Sequence, residues 1–493
     1  MSLLGKKFKL MEAFDQTTEG GYQLLPAKFA SLDNTRYFLS NEVGEFLVVT
    51  REQLDDYVRK RVSKNSEFYY DLKSKGFLID ADSNVALDLL ALKYRTKAQR
   101  ISQFTALHIF VVSLRCDYTC QYCQVSRQTD DKHAFDMSEQ TADKALDLVF
   151  KSPSPAIKIE FQGGEPLLNF HLIQYVVTTA KLRNIQHQKD LQFVITSNLS
   201  LLTNEVLDFC VEHSICLSTS LDGPELLHNA NRPRPGKNGY QLTIDGIKKA
   251  QAVLGRDKIG ALMTTTEKSL PNVKSIIDTY LENNLDCIFL RPLSPYGFAV
   301  KTRQAYKYDV DQWFEFYKEG LDYVLEINKQ GYRFVELYTE LIVNKLLSPF
   351  ATGYVDLQSP SGAAISAIVY NYDGDIYASD ESRMLAEMGD KKFRLGNVHN
   401  DSYEDIMLSD TLLDTLESTL SESIPMCADC GFLPYCGADP VYHYATQGDV
   451  VGHKALSGFC SKNMKIFRHV ISLLEDDVEA RKTLLSWVLL MAN

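Results

Sequence analysis

From residue 107 onward, short apolar runs of strand length alternate with amphipathic helical stretches, and this alternation restricts the chain more than any other feature. Strands covered by helices are apolar along their length, whereas the intervening helices keep a stripe of period 3.6, so the pattern reads as parallel βα units. The candidate strands are residues 108–114, 157–162, 191–197, 215–220, 259–265 and 287–291, with helical patterns at 138–150, 204–212 and 242–254. Six repeats predict an α/β fold containing a partial (β/α)6 barrel over residues 101–300. In such barrels the chemistry gathers at the carboxyl ends of the strands.

The 493 residues exceed one hydrophobic core, so further units are expected on either side. Residues 1–100 carry strand-like runs at 36–39 and 45–49 around the turn Asn41-Glu42-Val43-Gly44. Helical patterns follow at 52–62 and 67–75, with Gly76 at the closing position. This spacing predicts a small winged-helix-like module, the alternative being a plain N-terminal extension. Residues 301–355 read as an aromatic-rich helical bridge ending at Ser348-Pro349. Runs at 364–372 and 376–379 flank Asp373-Gly374, a hairpin signal that opens a C-terminal unit, 356–470. Residues 471–493 read as a docked terminal helix, since the apolar run 484–491 is too short to span a bilayer.

A net charge of −12 argues against a dominant nucleic-acid surface. The start MSLLGKKFKLMEAF lacks the apolar stretch of a secretory signal, so a cytoplasmic chain is expected. In that compartment ten cysteines point to metal ligation rather than to a disulfide scaffold. Cys210, Cys216 and Cys287 sit among apolar residues and read as core.

The other seven carry the chemistry. Cys116, Cys120 and Cys123 follow the first candidate strand, and three thiolates in one loop can hold three irons of a cubane, leaving the fourth iron open. A zinc knuckle is the alternative, but it needs a fourth nearby ligand, and neither His108 nor His133 has tidy spacing. Cys427, Cys430, Cys436 and Cys460 supply four thiolates, enough for a closed [4Fe-4S] cluster or for zinc.

The first group, with Tyr122 before its last cysteine, resembles the signature of the radical S-adenosylmethionine (SAM) superfamily, and further features follow at strand ends. The resemblance implies that Gly163-Gly164-Glu165-Pro166 contacts the SAM amino group, the glycines letting backbone approach the ligand. It places Ser197 and Asn198 near the ribose and carboxylate, then Ser220 and Asp222 at the fourth strand end. Arg232 is the guanidinium expected to meet the SAM carboxylate through paired hydrogen bonds.

The second group resembles the SPASM/twitch-type auxiliary-cluster extension of peptide maturases. It departs from that pattern at Pro440 and Ser379, where cysteine is usual, and Ser361 stands near another such place. One auxiliary [4Fe-4S] cluster is therefore expected, with zinc as the alternative. Asp439, Tyr442 and His443 are candidate acid or base groups, His443 equally a structural histidine.

Together the modules most resemble His-Xaa-Ser system radical SAM maturases of the B type. That resemblance implies a [4Fe-4S] cluster, SAM, a precursor peptide bound by the N-terminal module through strand addition, and an electron donor such as flavodoxin or ferredoxin. It also implies a second maturase of the same system as a possible partner, with no nucleic acid and no membrane. The product stays open among thioether, ether, carbon-carbon crosslink and epimer. The rivals are a sulfatase-maturase-like enzyme forming formylglycine, and a noncatalytic scaffold that binds zinc and peptide.

Overall fold

The computed structural model describes residues 21–80, 85–348, 350 and 352–489. The opening MSLLGKKFKLMEAF, Pro349 and the last residues of the apolar run 484–491 lie outside them. The chain divides into two compact units, one formed by residues up to 98 with 428–435, the other by 99–427 and 436–493.

In the first unit, β1 (Tyr22–Leu24) pairs antiparallel with β5 (Leu78–Asp80), while β2 (Ala27–Ser31), β3 (Arg36–Asn41) and β4 (Phe46–Thr50) form a three-stranded antiparallel sheet. Asn41 shapes the β3–β4 turn, its Oδ1 accepting from the N–H groups of Val43 and Glu45, and Gly44 takes φ +86°. The helix Arg51–Val58 starts in a capping box of Thr50 and Gln53, and Glu67–Ser74 is capped by Ser66. Tyr22, Leu72, Phe77 and Leu78 are fully buried beneath these helices.

The other face of the sheet is covered by residues 428–435. Phe38, fully buried, stacks on Phe432 at 5.3 Å and meets Tyr435 edge-on at 5.8 Å. Ser40 Oγ donates to the Gly431 carbonyl at 2.6 Å, and Tyr435 Oη donates to that of Gly44 at 3.0 Å. By residue number every candidate ligand lies beyond the N-terminal module. Cys430 instead lies within the segment that completes this unit.

The second unit is built on an eight-stranded sheet of order β10-β9-β8-β7-β6-β13-β14-β15. Strands β6 (Leu107–Ser113), β7 (Ala156–Gly163), β8 (Asp190–Thr196), β9 (Cys216–Ser220) and β10 (Ile259–Leu262) are parallel throughout. Phe110, Val111, Ile159, Phe161 and Ile195 form their buried centre.

The sixth expected strand is short. β11 (Cys287–Ile288) pairs with β12 (Val335–Glu336) rather than with β10. The buried Glu336 carboxylate accepts from Leu290 N at 3.1 Å and Thr339 N at 2.7 Å, which holds the segment after β11 to the start of the following helix. One backbone bond, Thr265 N to Arg291 O at 2.8 Å, still ties the segment to the end of β10.

The hairpin at Asp373-Gly374 forms, as β13 (Ala367–Tyr370) and β14 (Asp375–Tyr377), followed by β15 (Arg394–Asn397). Because β13 pairs parallel with β6, the hairpin extends the main sheet instead of opening one of its own. The helices Val310–Lys329 and Gly458–Asp476 pack together, and Leu484 and Trp487 bury the terminal helix Val478–Leu489. No helix among the described residues is long and apolar enough to cross a membrane.

Candidate active site

The cysteine loop leaves β6 immediately after Ser113 and is clamped by backbone. Gly164 N donates to Ser113 O at 2.7 Å and Glu165 N to Arg115 O at 2.8 Å. A Cβ on Gly163 would fall 2.0 Å from Ser113 O, and one on Gly164 would fall 2.2 Å from Arg115 O. Gly163 also holds φ +146°, a region that disfavours side chains. The pair is thus pressed against the strand that launches the cysteines. Arg115 adds a buried fork, donating from Nε and Nη2 to Asp136 at 2.7 and 2.6 Å.

Gly164→Ala is therefore expected to cost about 3 kcal/mol or more, because the obstructing atoms are backbone and cannot rotate away. Thermal unfolding and iron retained after reconstitution measure it, with Gly260→Ala, which meets nothing within 4 Å, as the control. Equal stability and iron in both variants would contradict the clamp.

The far side of the loop is fixed as well. Thr119 N and Oγ1 donate to Pro233 O at 2.7 and 3.0 Å, and Phe298 N donates to Cys123 O at 2.8 Å. Burial pushes the Cys120 thiol up to about 12 and that of Cys116 well above its ordinary value. Cys116 feels the charge of Cys120, and Cys120 that of Cys123, so neighbouring thiols lie within electrostatic reach. A cationic cluster would reverse the penalty on their ionised forms. Among the described residues no three His, Cys, Asp or Glu side chains are gathered closely enough to hold a single ion.

The neighbouring strand ends present buried polar groups. Glu165, fully buried, accepts from Ser197 Oγ at 2.7 Å, Asn198 N at 2.8 Å and Leu167 N at 3.1 Å, which joins the ends of β7 and β8. Burial pushes its carboxyl up to about 7. Asn198 Nδ2 and Ser200 Oγ donate to Asp117 within the loop, at 2.8 and 2.7 Å. Ser220 is the last residue of β9. Asp222 accepts from Tyr122 Oη at 2.5 Å, and the Arg232 guanidinium lies 5.4 Å from the Tyr122 ring centre.

Arg232 Nε stands 3.2 Å from Asp222 Oδ1, an ion pair whose alignment falls short of a hydrogen bond. With Nε2 of His228, Nδ2 of Asn231 and Nε of Arg234, it finds no hydrogen-bond partner among the described residues. Buried donors left open beside a three-thiol loop suit a ligand rich in acceptors. The residues fit a cluster and SAM on this ground.

Of the second group, Cys427, Cys436 and Cys460 surround the buried Lys454, whose pKa burial lowers and whose charge all three thiols favour. Cys430 belongs to the first unit, where its Sγ accepts from Phe432 N at 3.4 Å. Ser379 caps the helix Asp380–Ala386 through Ser382, and Pro440 opens the helix Pro440–Gln447, so both cysteine-free positions start helices. Both ring nitrogens of His443 are engaged within the protein. It is fully buried, Nδ1 is bonded to Asp439 O at 2.7 Å and Nε2 to Ser457 Oγ at 2.9 Å, and burial lowers its pKa to about 4.

Asp439 and Tyr442 line a cavity of about 330 Å³. Its wall includes residues 291–294 and Tyr296, which lead directly into Gly297 and the contact of Phe298 with Cys123. Asp356, Glu381 and Asp439 face one another across it with Arg291 and Lys462, and burial pushes each of the three carboxyls up to about 7. Sequence reasoning found only Asp439 of these. Asp356 lies in a loop and Glu381 in a helix of the hairpin unit, and no local spacing links them.

The model of the Radical SAM superfamily matches residues 110–268. An uncharacterized protein of Methanocaldococcus jannaschii is 29% identical over 38% of this chain, which spans 62% of that relative's length. The cysteine-type anaerobic sulfatase-maturating enzyme of Clostridium perfringens (strain 13 / Type A) is 21% identical over 67% of this chain and 87% of its own. Native anSMEcpe with bound AdoMet and Cp18Cys peptide shares the fold at TM-score 0.63 and 16% identity, covering 77% of this chain and 99% of that one. Streptococcus suis SuiB bound to precursor peptide SuiA does so at TM-score 0.51 and 13% identity, over 87% and 98%.

Proposed function

From the match of the Radical SAM superfamily model to residues 110–268, we infer an iron-sulfur enzyme that cleaves SAM and modifies a ribosomally made precursor peptide, in a system of His-Xaa-Ser type. The observation that carries this reading is the three-thiol loop clamped at the end of β6 beside open buried donors. When bound, the cluster supplies the electron that cleaves SAM to methionine and a 5′-deoxyadenosyl radical able to take hydrogen from the substrate.

Cys116, Cys120 and Cys123 would hold that cluster, and Gly163, Gly164 and Glu165 fix the loop that presents them. Tyr122 and Asp222 hold Arg232 in place for the SAM carboxylate, while Ser197, Asn198 and Ser220 border the remaining contacts. Cys427, Cys430, Cys436 and Cys460 would hold an auxiliary [4Fe-4S] cluster, or zinc. The three-stranded sheet of the first unit offers edges to which a peptide strand can add. A flavodoxin or ferredoxin would deliver electrons in the cytoplasm, and a second maturase could share the precursor. Similarity to a sulfatase-maturating enzyme supports a second reading, oxidation of a Cys or Ser to formylglycine.

Reconstituted protein with SAM and dithionite is expected to release 5′-deoxyadenosine and to change the mass of a precursor that repeats His-Xaa-Ser. Conversion of a sulfatase-derived Cys peptide instead would select the second reading. Absence of both iron and SAM cleavage would leave a zinc and peptide scaffold. Arg232→Ala would strand the buried Asp222, so Arg232→Lys is the cleaner probe. It should weaken SAM binding by about 1.5 kcal/mol with iron unchanged, because ammonium replaces the fork with a point charge. Unaltered affinity in calorimetry would remove Arg232 from the SAM site.

A further inference from the structure

The cavity beside the cysteine loop is not accounted for by cluster or SAM ligation. Four carboxylates, Asp309, Asp356, Glu381 and Asp439, line it against two cations, Arg291 and Lys462. Two of the acids are committed locally. Asp309 caps the helix Val310–Lys329 by accepting from Gln312 N at 2.8 Å, and Asp439 caps Pro440–Gln447 by accepting from Tyr442 N at 2.8 Å. Asp356 and Glu381 hold no such capping position.

The cavity also contains unused donors. Tyr296 and Trp313 are among its lining residues and are 1% and 2% exposed, and Tyr296 Oη and Trp313 Nε1 find no hydrogen-bond partner among the described residues. The phenol of Tyr296 lies within electrostatic reach of Asp439, Glu381 and Asp356, which places it on the acidic side. Buried donors without partners are costly unless a ligand supplies acceptors. Aromatic walls from Phe289, Tyr354 and Phe459 complete a site suited to a cation with an apolar stem.

We propose that this cavity is the specificity pocket for a basic side chain of the substrate peptide, with Asp356 and Glu381 receiving the cation and Tyr296 and Trp313 donating to an adjacent backbone carbonyl. The proposal rests on the reading of the chain as a peptide-modifying enzyme and adds the class of residue recognised. Burial raises the three carboxyls although Arg291 or Lys462 already lowers each of them, so a further cation seated among them would favour their ionised forms.

The test uses the reconstituted full chain and three capped tripeptides, acetyl-Gly-Xaa-Gly-amide with Xaa lysine, norleucine or glutamate, titrated by calorimetry. The lysine peptide is expected to bind at least tenfold more tightly than the norleucine peptide, and the glutamate peptide more weakly than both. Glu381→Gln with Asp356→Asn should reduce the lysine preference to within twofold, and Trp313→Phe should weaken lysine and norleucine peptides alike. Equal binding of lysine and norleucine, tighter binding of glutamate, or no binding by any peptide overturns the proposal. Release of 5′-deoxyadenosine by the same preparation is scored separately. Its absence refutes the enzyme reading, whereas cleavage without a lysine preference refutes the pocket.

Discussion

Replacing Cys116, Cys120 and Cys123 together by Ala is expected to reduce SAM cleavage to the level of a protein-free control and to leave about half the iron. Seven cysteines divide as three and four, so two cubanes carry about eight irons per chain, and the triple variant keeps the about four of the auxiliary site. The loop itself should survive, because its path is set by Arg115 on Asp136, by Thr119 on Pro233 and by the glycine pair, none of which involves sulfur. Iron analysis and chromatographic detection of 5′-deoxyadenosine decide the matter. A triple variant that retains all its iron and still cleaves SAM would remove the cluster from this loop.

Deleting residues 1–98 is expected to abolish precursor turnover and to take the auxiliary iron with it, leaving about four irons and uncoupled SAM cleavage. On the sequence alone the same truncation should spare both clusters, since all candidate ligands lie beyond it. The structure changes the expectation, because Phe432 and Tyr435, 1% and 0% exposed, lose the sheet on which they pack, and Cys430 stands between them and Cys427 in the chain. The smaller change Phe38→Ala removes the ring on which Phe432 stacks and should cost about 3–5 kcal/mol in the first unit. Full iron content together with full-length turnover in the truncated protein would refute this dependence.

What was legible in the sequence was what is encoded locally. The parallel strands announce themselves as apolar runs, and β7 and β8 fall within a residue or so of positions read from pattern alone. The loop of three cysteines is visible because its members are close in sequence. The sixth strand is shorter than its apolar run because its partner β12 and the carboxylate of Glu336 come from a segment distant in sequence. The acidic cavity stayed hidden for the same reason: Asp356, Glu381 and Asp439 are brought together by packing alone. His443 shows the converse. Its residue type left a structural and a proton-donating role equally open, and only the fold brings Asp439 and Ser457 to its two ring nitrogens.

The first unit is closed by a segment that the ribosome makes more than three hundred residues after Phe38, since 428–435 supplies the cover for its sheet. During synthesis the emerging module must therefore wait with an uncovered aromatic face until residues 428–435 are made. Such long-range closure slows folding and leaves surface open to aggregation. Residues up to 98 and residues 428–435 are thereby made into a checkpoint: a chain cut short before residue 428 cannot complete the first unit.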